Sequence, residues 1–175
     1  FMSIEHDRIH FETSSVLIRQ VNPNYLRKPN NWEYAPFGED SPPLEMAYVE
    51  GGVVELGKSD KSISFGWDNE YGYYKSEVSP FLASKNLITN QDFKYFVSDA
   101  GYQNPLFWSK EGWGWKERSQ ISHPKFWIIQ RDSYLYRAMY DIIKLPLAWP
   151  VEVNFHEAQA YCKWKSSKTR LLTES

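Results

Sequence analysis

The sequence predicts an α+β chain of 175 residues: one leading helix, a proline-rich connector, and a longer region of short strands and capped helices. Three observations carry that prediction. Apolar residues recur at helical spacing near the start; Pro23, Pro29, Pro36, Pro42 and Pro43 crowd one stretch; and from Met46 onward glycine-broken apolar runs alternate with helix-capping signals. The parts are residues 1–20, 21–43 and 44–175. A chain of this length can hold one full core or parts of two.

In residues 1–20, Ile9, Val16 and Leu17 can form the apolar stripe that a bundle helix requires. The connector VNPNYLRKPNNWEYAPFGEDSPPLE mixes its prolines with Asn, Asp and Gly. Proline fixes φ and removes a donor, so an extended surface crossing is expected there. AYVEGGVVELG reads as a strand interrupted by Gly51 and Gly52, and EVSPFLAS as another. In LITNQDFKYFVSDAGY, Thr89 or Asn90 can cap a helix that packs Phe93, Phe96 and Val97 on a sheet, with Gly101 as its left-handed stop.

In PVEVNFHEAQAYCKWKS, Asn154 and Glu157 have capping-box spacing, while Ala158, Tyr161, Cys162 and Lys165 share the following face. Cys162 therefore reads as a small core residue, because no partner histidine has the position a nucleophile needs. His156 falls in the first helical turn, where a neutral imidazole is usually exposed. Neither leads as a catalytic candidate. Trp113 and Trp115, around Gly114, either wall a pocket or pack in a core, and tryptophans in bulk favour packing. Trp67, Asp68 and Asn69 are candidate substrate-binding residues, although Asp and Asn also fix turns through their own backbone.

The most specific chemical signal is the run IEHDRIHFETSSVLIRQ, where His6 and His10 stand four residues apart. Helical residues i and i+4 stack on one face, so both imidazoles can meet one metal ion. The same spacing also suits two solvated side chains on an ordinary helix. Glu12 lies about 160° round the helix from His10, near Arg8 and Ser15, which suits orienting an imidazole better than direct ligation. A third ligand must come from His123, His156 or a residue outside the chain.

Composition excludes several classes of function. A formal net charge of -2 with pI near 6.1 leaves no basic surface for nucleic acid or anionic membrane. A single cysteine cannot build an internal disulfide framework and fits a reducing, cytoplasmic compartment. No apolar run approaches the ~20 residues of a membrane span, and FMSIEHDRIH lacks the basic start and apolar core of a signal peptide.

The string HDRIHFETSSVLIRQ resembles the iron-binding helix of the ovothiol-type sulfoxide synthases, in which His-x-x-x-His-x-Glu closes a DinB-like helical bundle. The ordered series EGGVVELG, FGWDNE, VSPFLASKNLITNQDFKYFVSDAGY, FWSKEGWGWK, HPKFW, PLAWPVEVNFHEAQAYCKWK and RLLTES is similar to the formylglycine-generating-enzyme-like domain. The resemblance covers residues 44–175 and implies a variant of the C-type lectin fold. Formylglycine-generating enzymes themselves use a cysteine pair, which this sequence does not contain. The same domain behind an iron-binding bundle occurs in ovothiol-type and ergothioneine-type sulfoxide synthases.

The resemblance implies that His6 and His10 bind non-haem Fe(II) together with a third histidine from an earlier helix, with Glu12 orienting one imidazole. ETSSVLIRQ, FGWDNE and PLAWPVEVN look more like the ovothiol branch, which implies O2-dependent joining of L-cysteine to L-histidine. The alternative is the ergothioneine branch, which takes trimethylated histidine and a cysteine-containing thiol; a non-catalytic lectin-like binding module is the rival from another class. RLLTES resembles the start of the family's Arg-Leu-x-Thr-Glu helix. On that reading the chain is a fragment, inactive alone, with the catalytic tyrosine and most thiol contacts expected beyond Ser175.

Overall fold

The computed structural model describes residues 1–38 and 40–174; Glu39 of the connector and Ser175, which closes RLLTES, lie outside the described residues. The architecture is a mixture of α and β, as predicted. Helix α1 (Met2–Ile18) comes first, and none of its residues is buried. Its expected stripe of Ile9, Val16 and Leu17 faces solvent. The connector then makes a single 3-10 turn at Pro23–Tyr25, capped by the Asn22 side chain, and residues 26–38 hold no helix or strand.

Next comes a long antiparallel ribbon with one break on each side. Strands β1 (Met46–Val49) and β2 (Gly52–Leu56) run out, and β3 (Tyr74–Val78) and β4 (Phe81–Ser84) return, with β1 paired to β4 and β2 to β3. The break has a steric cause. A Cβ on Gly51 would fall 2.7 Å from both Pro80 Cδ and the Val78 carbonyl oxygen, so the two sides cross too closely there for any larger residue. Pro80 also has no N–H to offer the ladder. Gly52, expected to interrupt the strand, is instead the first residue of β2.

Helix α2 (Asn90–Ser98) follows, and Thr89 rather than Asn90 is its cap: Thr89 Oγ1 accepts from the Asp92 N–H, and the Asp92 carboxylate accepts from the Thr89 N–H. Asn90 serves the core, donating to the Pro146 carbonyl at 2.9 Å and accepting from Trp127 Nε1 at 3.2 Å. The left-handed stop is Ala100 (φ 57°), not Gly101. Gly101 is required for space, since a Cβ there would lie 2.3 Å from the Phe96 ring.

Helix α3 (Lys110–Ser119) was not expected, because Gly112 and Gly114 weaken the helical pattern; Ser109 caps it and Gln120 ends it at φ 49°. Strands β5 (Trp127–Gln130), β6 (Ser133–Arg137) and β7 (Ile142–Lys144) form an antiparallel sheet in that order. Helix α4 (Phe155–Lys165) carries the predicted capping box of Asn154 and Glu157.

The core lies between α2, α4 and β5–β6 and is built from rings. Phe93 stacks on Tyr161 at 5.4 Å, and Phe96 meets Tyr102, Tyr161 and Trp164 within 6.1 Å. Trp113 and Trp115 pack against this cluster, as the core reading expects. Cys162 is buried, and burial pushes its thiol pKa up, away from the thiolate a nucleophile needs.

The buried face of α4 differs from the expected one. Glu157, Ala160, Tyr161 and Cys162 are inside, Ala158 is half-buried, and Lys165 is exposed. Glu157 turns inward because Tyr102 offers its hydroxyl at 2.5 Å, and this rotates the face by about one residue. His156 is likewise not exposed: it lies half-buried against Trp115, and its Nδ1 is buried with no partner.

Candidate metal centre

Helical geometry brings His6 and His10 together as the spacing requires. Their Nε2 atoms lie 2.8 Å apart, with ring centroids 4.5 Å apart and planes at 81°. Both rings are exposed. Two imidazole nitrogens each about 2.1 Å from one metal, at a right angle, would be roughly 3 Å apart, so this pair fits two adjacent coordination positions. Without a metal the contact needs one ring to carry its Nε2 proton and the other its lone pair.

Among the described residues no third donor stands beside them, and no group of three or more His, Cys, Asp or Glu side chains is placed to hold a metal. His123 donates through Nδ1 to the Pro124 carbonyl and packs on Tyr134, while His156 sits on Trp115, so neither joins the pair. Glu12 is exposed, and no hydrogen bond links its carboxylate to either imidazole; its backbone carbonyl accepts from the Ser15 hydroxyl.

Trp67, Asp68 and Asn69 fold into a local turn. Asp68 and Asn69 begin a 3-10 turn ending at Glu70, whose carboxylate accepts from the Trp67 N–H at 3.1 Å, and Trp67 packs on Phe65 at 5.5 Å. Both polar residues are exposed, and no described contact joins this turn to α1.

What joins α1 to the rest of the chain is a residue that the sequence reading passed over. Arg19, at the C-cap of α1, donates through Nη1 to Glu152 at 2.7 Å and through Nε to the Arg137 carbonyl at 2.9 Å. Its guanidinium carbon lies over the Phe126 ring, 3.7 Å from the centroid, and 5.0 Å from that of Tyr136. Burial opposes the charge, but Glu152 and Tyr136 outweigh it and raise the Arg19 pKa. Glu152 mirrors this: burial works to raise its pKa, and the bonds from Arg19 and the Tyr136 hydroxyl hold it below the ordinary carboxylate value. Arg137 Nη2 donates to the Val21 carbonyl, and Lys125 to Gln20 Oε1. A charged residue inside VLIRQV, where a helix leaves an apolar run, was the one available signal.

The connector is tied down by a second polar knot. Asp141 accepts from Lys28 at 2.8 Å and from the Tyr34 hydroxyl at 2.9 Å, and the hydrogen bond from Lys28 is the main cause of its lowered pKa.

Residues 34–175 match the family model described as the Sulfatase-modifying factor enzyme 1-like domain. The chain belongs to this family. Within it, the chain is 32% identical over 127 residues to the hercynine oxygenase of Mycolicibacterium smegmatis, and 30% identical over 124 residues to that of Mycobacterium tuberculosis. These matches cover 72% and 70% of the chain but 28% of each relative, so the chain spans less than a third of the curated proteins it matches. The sulfatase-modifying-factor-like domain thus contains the ribbon, the aromatic core and the Glu152 end of the Arg19 contact. The His6 and His10 pair lies ahead of it. No helix among the described residues is long and apolar enough to cross a membrane.

Proposed function

We propose that the protein carrying this chain is a non-haem Fe(II), O2-dependent sulfoxide synthase that joins a thiol to the imidazole of a histidine substrate, with His6 and His10 as two iron ligands. The observation that carries this reading is the 2.8 Å approach of the two Nε2 atoms, on a helix tied to a domain whose curated relatives are hercynine oxygenases. Bound there, Fe(II) would offer open positions at which thiol, imidazole substrate and O2 meet. Each imidazole must present its Nε2 lone pair, so both rings would take the tautomer that carries the proton on Nδ1. Glu12 would serve as an outer acceptor for one ring, which requires its carboxylate to swing toward the histidine face. Among the described residues no third ligand joins the pair.

The relatives support trimethylated histidine as the substrate, the ergothioneine-type reaction. The wording of ETSSVLIRQ, FGWDNE and PLAWPVEVN supports a second reading, L-histidine with L-cysteine, the ovothiol-type reaction. Both give a sulfoxide with sulfur bonded to an imidazole carbon. The test is mass spectrometry of the full-length protein supplied with Fe(II), O2, a cysteine-containing thiol and either histidine or its trimethylated form. A product with hercynine alone selects the first reading, and one with L-histidine and L-cysteine selects the second. Oxidation of a peptide cysteine with both histidines ignored would overturn the proposal.

A further inference from the structure

We infer that Arg19 is a positioning residue for the proposed reaction, fixing the helix of His6 and His10 in register against the domain. This rests on the iron reading above. Among the described residues, every hydrogen bond or ion pair between residues 1–21 and the domain runs through Arg19, Gln20 or Val21. None of the seventeen residues of α1 is buried, and its one half-buried apolar residue is Ile18, next to Arg19, so among the described residues the joint is confined to this end of the helix.

A joint at one end of a helix controls the other end as a lever. His10 lies nine residues before Arg19, about 13 Å along the axis, so a small rotation at the joint sweeps both imidazoles sideways together. Their mutual spacing is set by the helix and does not change. Arg19 suits this task because three different constraints act on one rigid plane: Glu152 at Nη1, the Arg137 carbonyl at Nε, and the Phe126 ring beneath. A lysine could satisfy one of these, since an ammonium has neither fork nor face. Glu152 is itself held by the Tyr136 hydroxyl on β6, so the joint reads out the position of the sheet.

The consequence is a separation of binding from rate. Iron affinity depends on donors that Arg19 does not touch, whereas turnover depends on where that iron stands relative to substrates held by the domain. In the full-length protein, Arg19→Met is expected to lower kcat on the order of 100-fold, the scale of a 1 Å misplacement, with iron per chain and thiol KM unchanged. Arg19→Lys should recover no more than about tenfold of that loss. Glu152→Gln keeps the ring stacking and a neutral acceptor, and covers the case in which Arg19→Met fails to fold; its expected loss is about tenfold in kcat, since a charge-assisted bond is roughly twice as strong as a neutral one. Lys28→Met, which opens the separate contact with Asp141, should leave kcat within about threefold.

Hydrogen exchange over residues 2–18 gives a readout independent of activity, and should be faster in Arg19→Met while residues 90–98 keep their protection. Wild-type kcat in a folded Arg19→Met protein, loss of iron in parallel with activity, or unchanged exchange in α1 would each overturn the inference. Failure of the iron reading shows separately, as full iron retention in His6→Ala.

Discussion

The Tyr102 hydroxyl donates to Glu157 Oε1 across 2.5 Å in the buried interior, joining the residues after α2 to the first turn of α4. The same carboxylate accepts from the Asn154 N–H at 2.9 Å, so one acidic side chain closes a helix cap and a core contact together. Burial is the largest influence on Glu157 and pushes its pKa above the ordinary carboxylate value, against the hydrogen bonds from Tyr102 and Asn154. Burial, then the neighbouring Glu157 charge, likewise raises the Tyr102 pKa, so the phenol keeps its proton.

Tyr102→Phe is expected to cost about 1–3 kcal/mol, because it strands a buried acceptor. The pH dependence has a definite sign. With the folded pKa of Glu157 raised, its contribution is full below the unfolded value and is lost as pH rises through the folded value. Removing the hydroxyl raises that folded pKa further, so the variant should lose more stability at pH 7 than at pH 4.5. Urea unfolding at both pH values checks this, and an equal loss at both would refute it.

Iron content separates ligands from neighbours. His6→Ala and His10→Ala in the full-length protein should each remove most of the bound iron, whereas Glu12→Ala should weaken it by about 10–100-fold at most. The absence of any bond from Glu12 to either imidazole puts the expected effect at the low end. Stoichiometric iron in both histidine variants would sink the metal assignment.

Cys162→Ala should leave turnover of the full-length protein within a few-fold and lower stability by about 1 kcal/mol, as a small core truncation does. The thiol is buried and its pKa is raised by that burial. A thousand-fold loss of activity with normal unfolding behaviour would show that the sulfur takes part in the chemistry.

The end of α2 offers a paired test. Gly101→Ala drives a methyl group to 2.3 Å from the Phe96 ring and should destabilise by about 1–3 kcal/mol. Ala100→Gly relieves a left-handed alanine at φ 57° and should stabilise by about 0.5–1 kcal/mol. Thermal unfolding of the two single variants decides whether steric space or backbone conformation is the constraint at each position.

The sequence by itself determined what depends on neighbours along the chain. The capping box at Asn154–Glu157, the apolar triplet of α2 and the approach of His6 to His10 all follow from spacings of four residues or fewer, whereas the choice of Thr89 over Asn90 as the cap of α2 came from the structure. Local spacing could not reveal α3, whose two glycines mask it, nor β5–β7, whose strands are specified by pairing with one another. Only the tertiary structure decided that Glu157 points inward, that Gly101 is excluded from a larger side chain by Phe96, and that Arg19 meets Glu152 across 133 residues of chain. Those outcomes turn on which surfaces meet when the core closes. A charged residue at a helix end reads the same in sequence whether it faces water or, like Arg19, lies between an aromatic ring and a carboxylate.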